Sequence, residues 1–188
     1  MSIFVNTFFE ERLKDLFSLA ARVEKSLGAA GIAYRVVGGL AAYLYVESME
    51  ADAGRLTKDI DILVRREDLA RIREAVEPVG LEYRHTAGVD MLVQKGQPSA
   101  RRAVHMIFEG EKVRADYLEA APHLQGTEIQ GIPVIGLAEL VHMKLTSFRA
   151  KDAAHIVDLD EQGLITREIE ATLSPALSER LAQARSRG

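Results

Sequence analysis

The chain has 188 residues, a formal net charge of −4 and a sequence pI of about 5.8. Apolar residues make up 47% of it, enough for a hydrophobic core, and the acidic balance argues against a globally basic nucleic-acid binder. The absence of cysteine excludes a disulfide framework, a thiolate zinc site and a cysteine nucleophile. Residues 1–16 lack the pattern of a signal peptide, and no run approaches the roughly 18 apolar residues of a membrane span. We therefore expect a soluble, cytoplasmic protein without a membrane partner.

The first half of the chain predicts alternating helices and strands. Residues 7–28 form an amphipathic helix, because their apolar side chains recur at helical spacing up to Gly28. The order strand, helix, strand, helix follows, at residues 32–37, 40–50, 55–64 and 66–79. This order predicts a sheet with crossover helices.

The second half predicts short strands and then helices. Strands are expected at residues 81–85, 89–94, 103–108 and 112–117, the last two joined by a hairpin at Gly110. A short strand with a glycine turn at 128–135 and helices at 137–148, 153–159 and 175–184 complete the pattern. The fold class is therefore α+β, a mixed β-sheet with flanking helices. We expect a core at residues 1–136 and a helical C-terminal portion at 137–188.

Two carboxylates interrupt an otherwise apolar strand. Asp59 and Asp61 project from the same face of a strand, because successive side chains alternate. Like charges side by side are tolerable if they bind a divalent cation, and Mg²⁺ takes one or two protein carboxylates together with phosphates and water. The pattern predicts a metal–phosphate site.

Paired glycines precede this strand. Gly38 and Gly39 lie between a predicted strand and a predicted helix, where backbone N–H groups and the positive helix end can hold a phosphate. The glycines and the carboxylates together indicate one site.

A strand ending in Gly38-Gly39, a helix, and then Thr57-x-Asp59-x-Asp61 on the next strand resembles the signature of the nucleotidyltransferase superfamily of the DNA polymerase beta type. The chain is most similar to small bacterial proteins related to AbiEii-type abortive-infection toxins, over residues 31–159. The spacing between the glycines and Asp59 is longer than usual, with the excess in a loop at 48–55. The resemblance implies an NTP substrate and Mg²⁺ or Mn²⁺, with Thr57 among the nucleotide-binding residues.

The superfamily adds a third carboxylate on a neighbouring strand, and three residues are candidates for its place: Asp90, His105 and Asp116. By order of elements His105 takes the place of the family's third acid, which departs from the catalytic pattern. Asp116 is the chemically better residue, because a carboxylate can bind the metal and act as general base for the acceptor hydroxyl. Both remain open, and a polar residue at a strand edge explains either equally well.

A basic element follows the core. Lys144, Arg149, Lys151 and Asp152 resemble the Lys-(x)n-Arg-x-Lys-Asp element of AbiEii-like proteins, which implies that the cations face nucleotide phosphates. Where that element carries an acid three residues after the aspartate, this chain has His155. The alternative is that the cations face a helix C-terminus and Asp152 caps the next helix.

These observations predict a metal-dependent nucleotidyltransferase that moves an NMP from an NTP to an acceptor. The resemblance implies a tRNA end, a protein or a small molecule as acceptor, and a toxin relative would have an antitoxin partner. The alternative is a non-catalytic nucleotide- or RNA-binding module whose site degenerated at His105. A third interpretation, an antitoxin-like or scaffold protein, predicts no binding of Mg-NTP.

Overall fold

The computed structural model describes residues 3–51, 53–55, 57, 59–96 and 103–186, with side chains from residue 14 onward. The helices are α1 (Ile3–Ala29), α2 (Gly38–Met49), α3 (Leu69–Val76), α4 (Leu137–Ser147), α5 (Ala150–Glu161), α6 (Arg167–Thr172) and α7 (Pro175–Arg185). The strands are β1 (Arg35–Val37), β2 (Ile60–Val64), β3 (Leu81–Thr86), β4 (Val89–Gln94), β5 (Val104–Phe108), β6 (Gly126–Ile129) and β7 (Ile132–Ile135). No helix within these residues is long and apolar enough to cross a membrane.

The strands form one mixed sheet in the order β3-β4-β5-β2-β1-β7-β6. β2 lies at its centre, antiparallel to β1 and parallel to β5, and β1 is in turn parallel to β7. The predicted α+β class, a mixed sheet with flanking helices, is therefore confirmed.

The register separates the two faces of the sheet. Asp61 pairs with His105 across β2 and β5, so the two side chains share a face. The strand pairing runs from β3 through β4 and β5 to β2, and its register puts Tyr83 on the face opposite Asp61. On that face, Arg73 of α3 lies 5.4 Å from the centre of the Tyr83 ring. Because α2 begins at Gly38 beside Asp61, α2 and α3 cover opposite faces of the sheet.

One hydrophobic core joins the sheet to the helices on both sides of the predicted boundary at residue 136. It includes Leu27 of α1, Ile62 of β2, Leu145 of α4 and Leu181 of α7, each at most 3% exposed. Burial of such side chains removes apolar surface from water, which is the main favourable term in folding. The predicted boundary between the core and the helical C-terminal portion, at 136/137, stays a prediction. The helices after this boundary pack into the same hydrophobic core as the sheet.

The predicted strand at 112–117 and its hairpin at Gly110 are wrong. The chain forms turns and bends there, within a loop from 109 to 125 that connects β5 to β6. The reason lies in the sheet order: β5 already pairs with β4 on one side and β2 on the other, so no free edge remains for a hairpin partner.

The strand predicted at 128–135 is two strands. β6 and β7 form a hairpin whose turn residues, Gln130 and Gly131, have φ of +53° and +77°. Two consecutive positive φ angles are typical of the type I′ turn that matches the twist of a hairpin.

Gly126 packs its backbone directly against the backbone of β7. A side chain there would overlap the Val134 carbonyl oxygen and approach the Gly136 nitrogen to 2.9 Å. We expect Gly126→Ala to lower the free energy of unfolding by about 1–3 kcal/mol, because neither neighbour is a flexible side chain.

Gly28→Ala is the matched control, since a Cβ on this exposed residue of α1 meets only the Glu24 carboxylate, at 3.2 Å. It should leave stability unchanged or raise it by up to about 1 kcal/mol. Urea unfolding followed by circular dichroism measures both variants, and equal midpoints would contradict the expectation.

Candidate active site

The Asp61 carboxylate lies against the first turn of α2. Gly38 opens this helix with φ of +70°, and a side chain on it would overlap Asp61 Oδ2. Only glycine combines the left-handed backbone with this close approach. A carboxylate at a helix N-terminus interacts favourably with the helix dipole. Both glycines lie inside α2, because the helix begins at Gly38 and not at Leu40 as predicted.

Gly39, Thr57 and Asp59 form the adjoining wall. A Cβ on Gly39 would lie 2.6 Å from Thr57 Oγ1, and the Thr57 hydroxyl donates to the Asp59 carbonyl oxygen at 3.3 Å. Asp59 precedes β2 by one residue, whereas Asp61 is the second residue of that strand. The two carboxylates thus flank the start of β2.

His105 occupies the position on β5 directly opposite Asp61. Its Nδ1 lies 3.2 Å from Asp61 Oδ1, and both side chains are about one quarter exposed. The hydrogen bond to Asp61 raises the pKa of His105 above its usual value, and the charges of Asp61 and Asp59 add to the increase. Burial and the charge of Lys151 act in the other direction. His105 is therefore coupled to both carboxylates.

The other two candidates for the third group lie elsewhere. Asp116 is in the loop after β5, and not on a neighbouring strand as expected; its side chain is 79% exposed and lies 3.7 Å from Arg114. Asp90 pairs with Met106 on the face of the sheet opposite His105, and accepts a hydrogen bond from Tyr83. The structure thus brings His105 to Asp61, and places Asp116 on an exposed turn.

Lys144 and Asp152 form a buried ion pair between α4 and α5. Their residues are 3% and 0% exposed, and Lys144 Nζ donates to Asp152 Oδ1 at 3.2 Å. Arg149 Nε and Ser147 Oγ donate to Asp152 Oδ2 at 2.6 and 2.7 Å. Lys144 Nζ also lies at hydrogen-bond distance, 3.1 Å, from His155 Nδ1. A network so completely paired fixes the position of each member.

Burial and charge set the protonation of this network. Burial alone would raise the pKa of Asp152, but the Arg149 hydrogen bond and the Lys144 charge lower it to about 2. Burial lowers the pKa of Lys144, while the charges of Asp152 and Asp61 oppose the decrease. Burial and then the Lys144 charge lower the pKa of His155 to about 4. Near neutral pH Asp152 is ionised and His155 is uncharged.

A cleft of about 640 Å³ connects these groups. Its lining includes Gly38, Asp61 and His105 from the sheet side, and Lys144 and Arg149 from the helical side. The volume lies within the range of small-molecule sites, which is roughly 300–1,000 Å³. The Asp61 carboxylate on the sheet side and the Lys144 and Arg149 cations on the helical side suit a ligand that combines phosphate groups with a metal cation.

The Asp59 and Asp61 carboxylates are the candidate metal ligands of the site. Within the described residues, no group of three or more histidine, cysteine or acidic side chains could hold a metal. Mg²⁺ is commonly bound by one or two carboxylates, with substrate phosphates and water completing the shell. Asp59 and Asp61 therefore fit a cation that arrives with a polyphosphate, and do not form an all-protein metal site.

Asp152, Ser147 and His155 acquire their importance from the fold. Asp152 stood in the basic element of the sequence, where a helix-capping role was the alternative. The structure places it inside the first turn of α5, as the acceptor that Lys144 and Arg149 share. The spacing of Lys144, Arg149 and Asp152 was the available signal, but the burial of the lysine was not visible in it.

The low pKa of His155 predicts a pH-dependent stability. In the unfolded chain this histidine titrates near 6.5, and in the folded protein near 4. Between these values the unfolded state binds more protons, so stability falls as the pH is lowered from about 6.5 to about 4. His155→Asn keeps a hydrogen-bond acceptor for Lys144 but does not titrate. Between pH 7 and pH 5, its free energy of unfolding should therefore fall by about 1–2 kcal/mol less than that of wild type.

Urea unfolding at pH 7, 6 and 5 measures this difference. His123→Asn is the control, because the His123 side chain is 87% exposed. A His155→Asn protein with the same pH dependence as wild type would show that His155 is not held neutral.

Comparison with known proteins finds similarity in structure only. No protein-family model and no curated protein matches the sequence. The fold is similar to that of an antigenic nucleotidyltransferase-like protein from Paracoccidioides brasiliensis, with 15% identity and a TM-score of 0.55, over 94% of this chain and 88% of that one.

Two further solved structures have lower scores. ANT(2'')-Ia in complex with adenylyl-2''-tobramycin has 14% identity and a TM-score of 0.49, over 90% of this chain and 97% of that one. JHP933 from Helicobacter pylori has 12% identity and a TM-score of 0.41, over 94% and 91%. At these identities the likeness concerns the fold, and the AbiEii-type relationship stays a prediction. The chain has a nucleotidyltransferase-like α+β fold.

Proposed function

We propose that the protein binds a nucleoside triphosphate with a divalent cation in the cleft and transfers the nucleoside monophosphate to an acceptor. The observation that carries this proposal is the position of the Asp61 carboxylate. It lies at the N-terminus of α2, hydrogen-bonded to His105 and close enough to Lys144 to affect its pKa. Fold alone does not define function, so the site carries the argument.

The described residues divide the binding of a triphosphate between them. Gly38 and Gly39 have no side chains, so Asp61 and Thr57 can lie directly against the first turn of α2. The backbone N–H groups and the helix dipole of this turn favour a phosphate group. Lys144 and Arg149 supply positive charge on the helical side of the cleft, and the charge of Lys151 acts on His105. Phosphoryl transfer needs mainly positioning and charge neutralisation from a protein, and these groups provide both.

Asp59 and Asp61 would hold Mg²⁺ or Mn²⁺ together with the phosphates. The ion, when bound, neutralises charge on the phosphate oxygens. The acceptor hydroxyl oxygen would form a bond to the α-phosphorus while the bond from this phosphorus to the α,β-bridging oxygen breaks and pyrophosphate leaves. His105 would accept the proton of that hydroxyl. Asp116 is the alternative acceptor of that proton, and Thr57 supports the position of Gly39.

A second candidate function is a nucleotide- or RNA-binding module without catalysis. The observation that favours it is an imidazole at the strand position opposite Asp61, because a neutral histidine adds no negative charge for a metal. For the enzyme, the proposed acceptor classes are a tRNA end, a protein and a small molecule. If the enzyme acts as a toxin, its partner is an antitoxin protein.

Asp61→Asn should weaken the binding of Mg-NTP by roughly tenfold to a hundredfold, because one charged ligand oxygen is lost. Calorimetric titration of ATP, GTP, CTP and UTP with and without Mg²⁺ measures the effect. Asp160→Asn removes the same charge from a surface pair with Arg185 and is the control. Equal affinities of wild type and Asp61→Asn would refute the nucleotide site.

His105→Ala should lower transfer by about a hundredfold or more while leaving ATP affinity within about threefold, because general-base catalysis contributes roughly 10²–10⁴. Transfer of label from α-³²P-NTPs is followed to total tRNA, to the protein itself and to small alcohols. If Asp116→Asn loses transfer activity and His105→Ala retains it, Asp116 is the general base. Metal-dependent binding without transfer to any acceptor would favour the non-catalytic module.

A further inference from the structure

His155 lies between the buried Lys144 and the first turn of α2. Its residue is 8% exposed, its Nδ1 lies 3.1 Å from Lys144 Nζ, and its Cε1 lies 3.7 Å from where a side chain on Gly39 would begin. One imidazole therefore contacts the buried lysine and approaches the first turn of α2.

The contact with Lys144 fixes the state of the imidazole. An ammonium group donates hydrogen bonds and accepts none, so His155 Nδ1 must be the acceptor and its proton must be on Nε2. A second proton would place an imidazolium against the lysine at 3.1 Å in a buried site. The lowered pKa of His155, about 4, agrees with this geometry.

An uncharged residue at this position changes the charge of the network. Lys144 and Arg149 are two cations that share one carboxylate, Asp152, and His155 contributes no charge. These four side chains therefore retain one net positive charge, and both cations line the cleft. An acid in place of His155 would cancel that charge at hydrogen-bond distance from the lysine.

We propose that His155 is a positioning residue that holds the Lys144 ammonium at the cleft wall as a neutral acceptor, and so leaves one positive charge for the polyphosphate of the ligand. The proposal rests on the proposed nucleotide function and names the residue that sets the charge of its phosphate subsite. It predicts that affinity depends on the number of phosphate groups, because the retained charge acts on them and not on the nucleoside.

Titration of ATP, ADP, AMP and inorganic tripolyphosphate with Mg²⁺ tests the charge. His155→Glu should weaken the binding of ATP and of tripolyphosphate by roughly tenfold to a hundredfold. The binding of AMP should be weakened much less, because each further phosphate group interacts with the altered charge. His155→Asn supplies a neutral amide oxygen near the place of Nδ1 and should stay within about threefold of wild type. Ala176→Glu adds the same charge on exposed α7 and is the control.

The tautomer provides a measurement that needs neither a ligand nor a variant. Nitrogen-15 NMR of the wild-type protein at pH 7 should show His155 neutral with its proton on Nε2. A proton on Nδ1 or an imidazolium overturns the proposal, even if His155→Glu does not fold.

The binding outcomes separate this proposal from the function on which it rests. ATP binding that His155→Glu leaves unchanged overturns the role of His155 and keeps the nucleotide site. In a second outcome, His155→Glu weakens the binding of tripolyphosphate and the protein shows no preference for nucleotides. This result keeps the role of His155 and overturns the nucleotide function. No binding of either ligand overturns both.

Discussion

The buried ion pair of Lys144 and Asp152 is the interaction on which the candidate site depends. Burying an unpaired ammonium would cost several kcal/mol, so the lysine can lie at 3% exposure only because Asp152 accepts from it. The same carboxylate accepts from Arg149 and Ser147, and therefore joins the end of α4 to the first turn of α5. The cations on the helical wall of the cleft are thus positioned by one shared acceptor.

The order of the strands provides the corresponding constraint on the sheet wall. Asp61 of β2 pairs with Val37 of β1 on one side and with His105 of β5 on the other. Val37 is followed at once by Gly38, so this pairing brings the helix N-terminus to the carboxylate. The position of β2 at the centre of the sheet therefore determines which backbone and which side chain contact Asp61.

Sequence reasoning predicted the parts of the fold that depend on local pattern. The strand at Asp61, the helix that follows β1 and the helices after β7 follow from periodicity and from residues that end or begin an element. The predicted strand containing Asp116 failed because its residues alternate acceptably, and only the sheet order shows that β5 has no free side. Likewise, the sequence predicts a surface position for Lys144. Its burial depends on contacts with Asp152 and His155, which lie on the next helix, α5.

Two histidines stand where the resemblance implies acids, and their surroundings drive them in opposite directions. His105 faces Asp61 and Asp59, which raise its pKa, whereas burial and Lys144 lower that of His155. Each imidazole therefore follows the charges around it: the carboxylates favour the protonated form of His105, and Lys144 favours the neutral form of His155. Compared with carboxylates at both positions, the two histidines leave less negative charge near Lys144 and Arg149. A polyphosphate with its metal has both a cationic and an anionic part, and a cleft divided in this way can contact both at once.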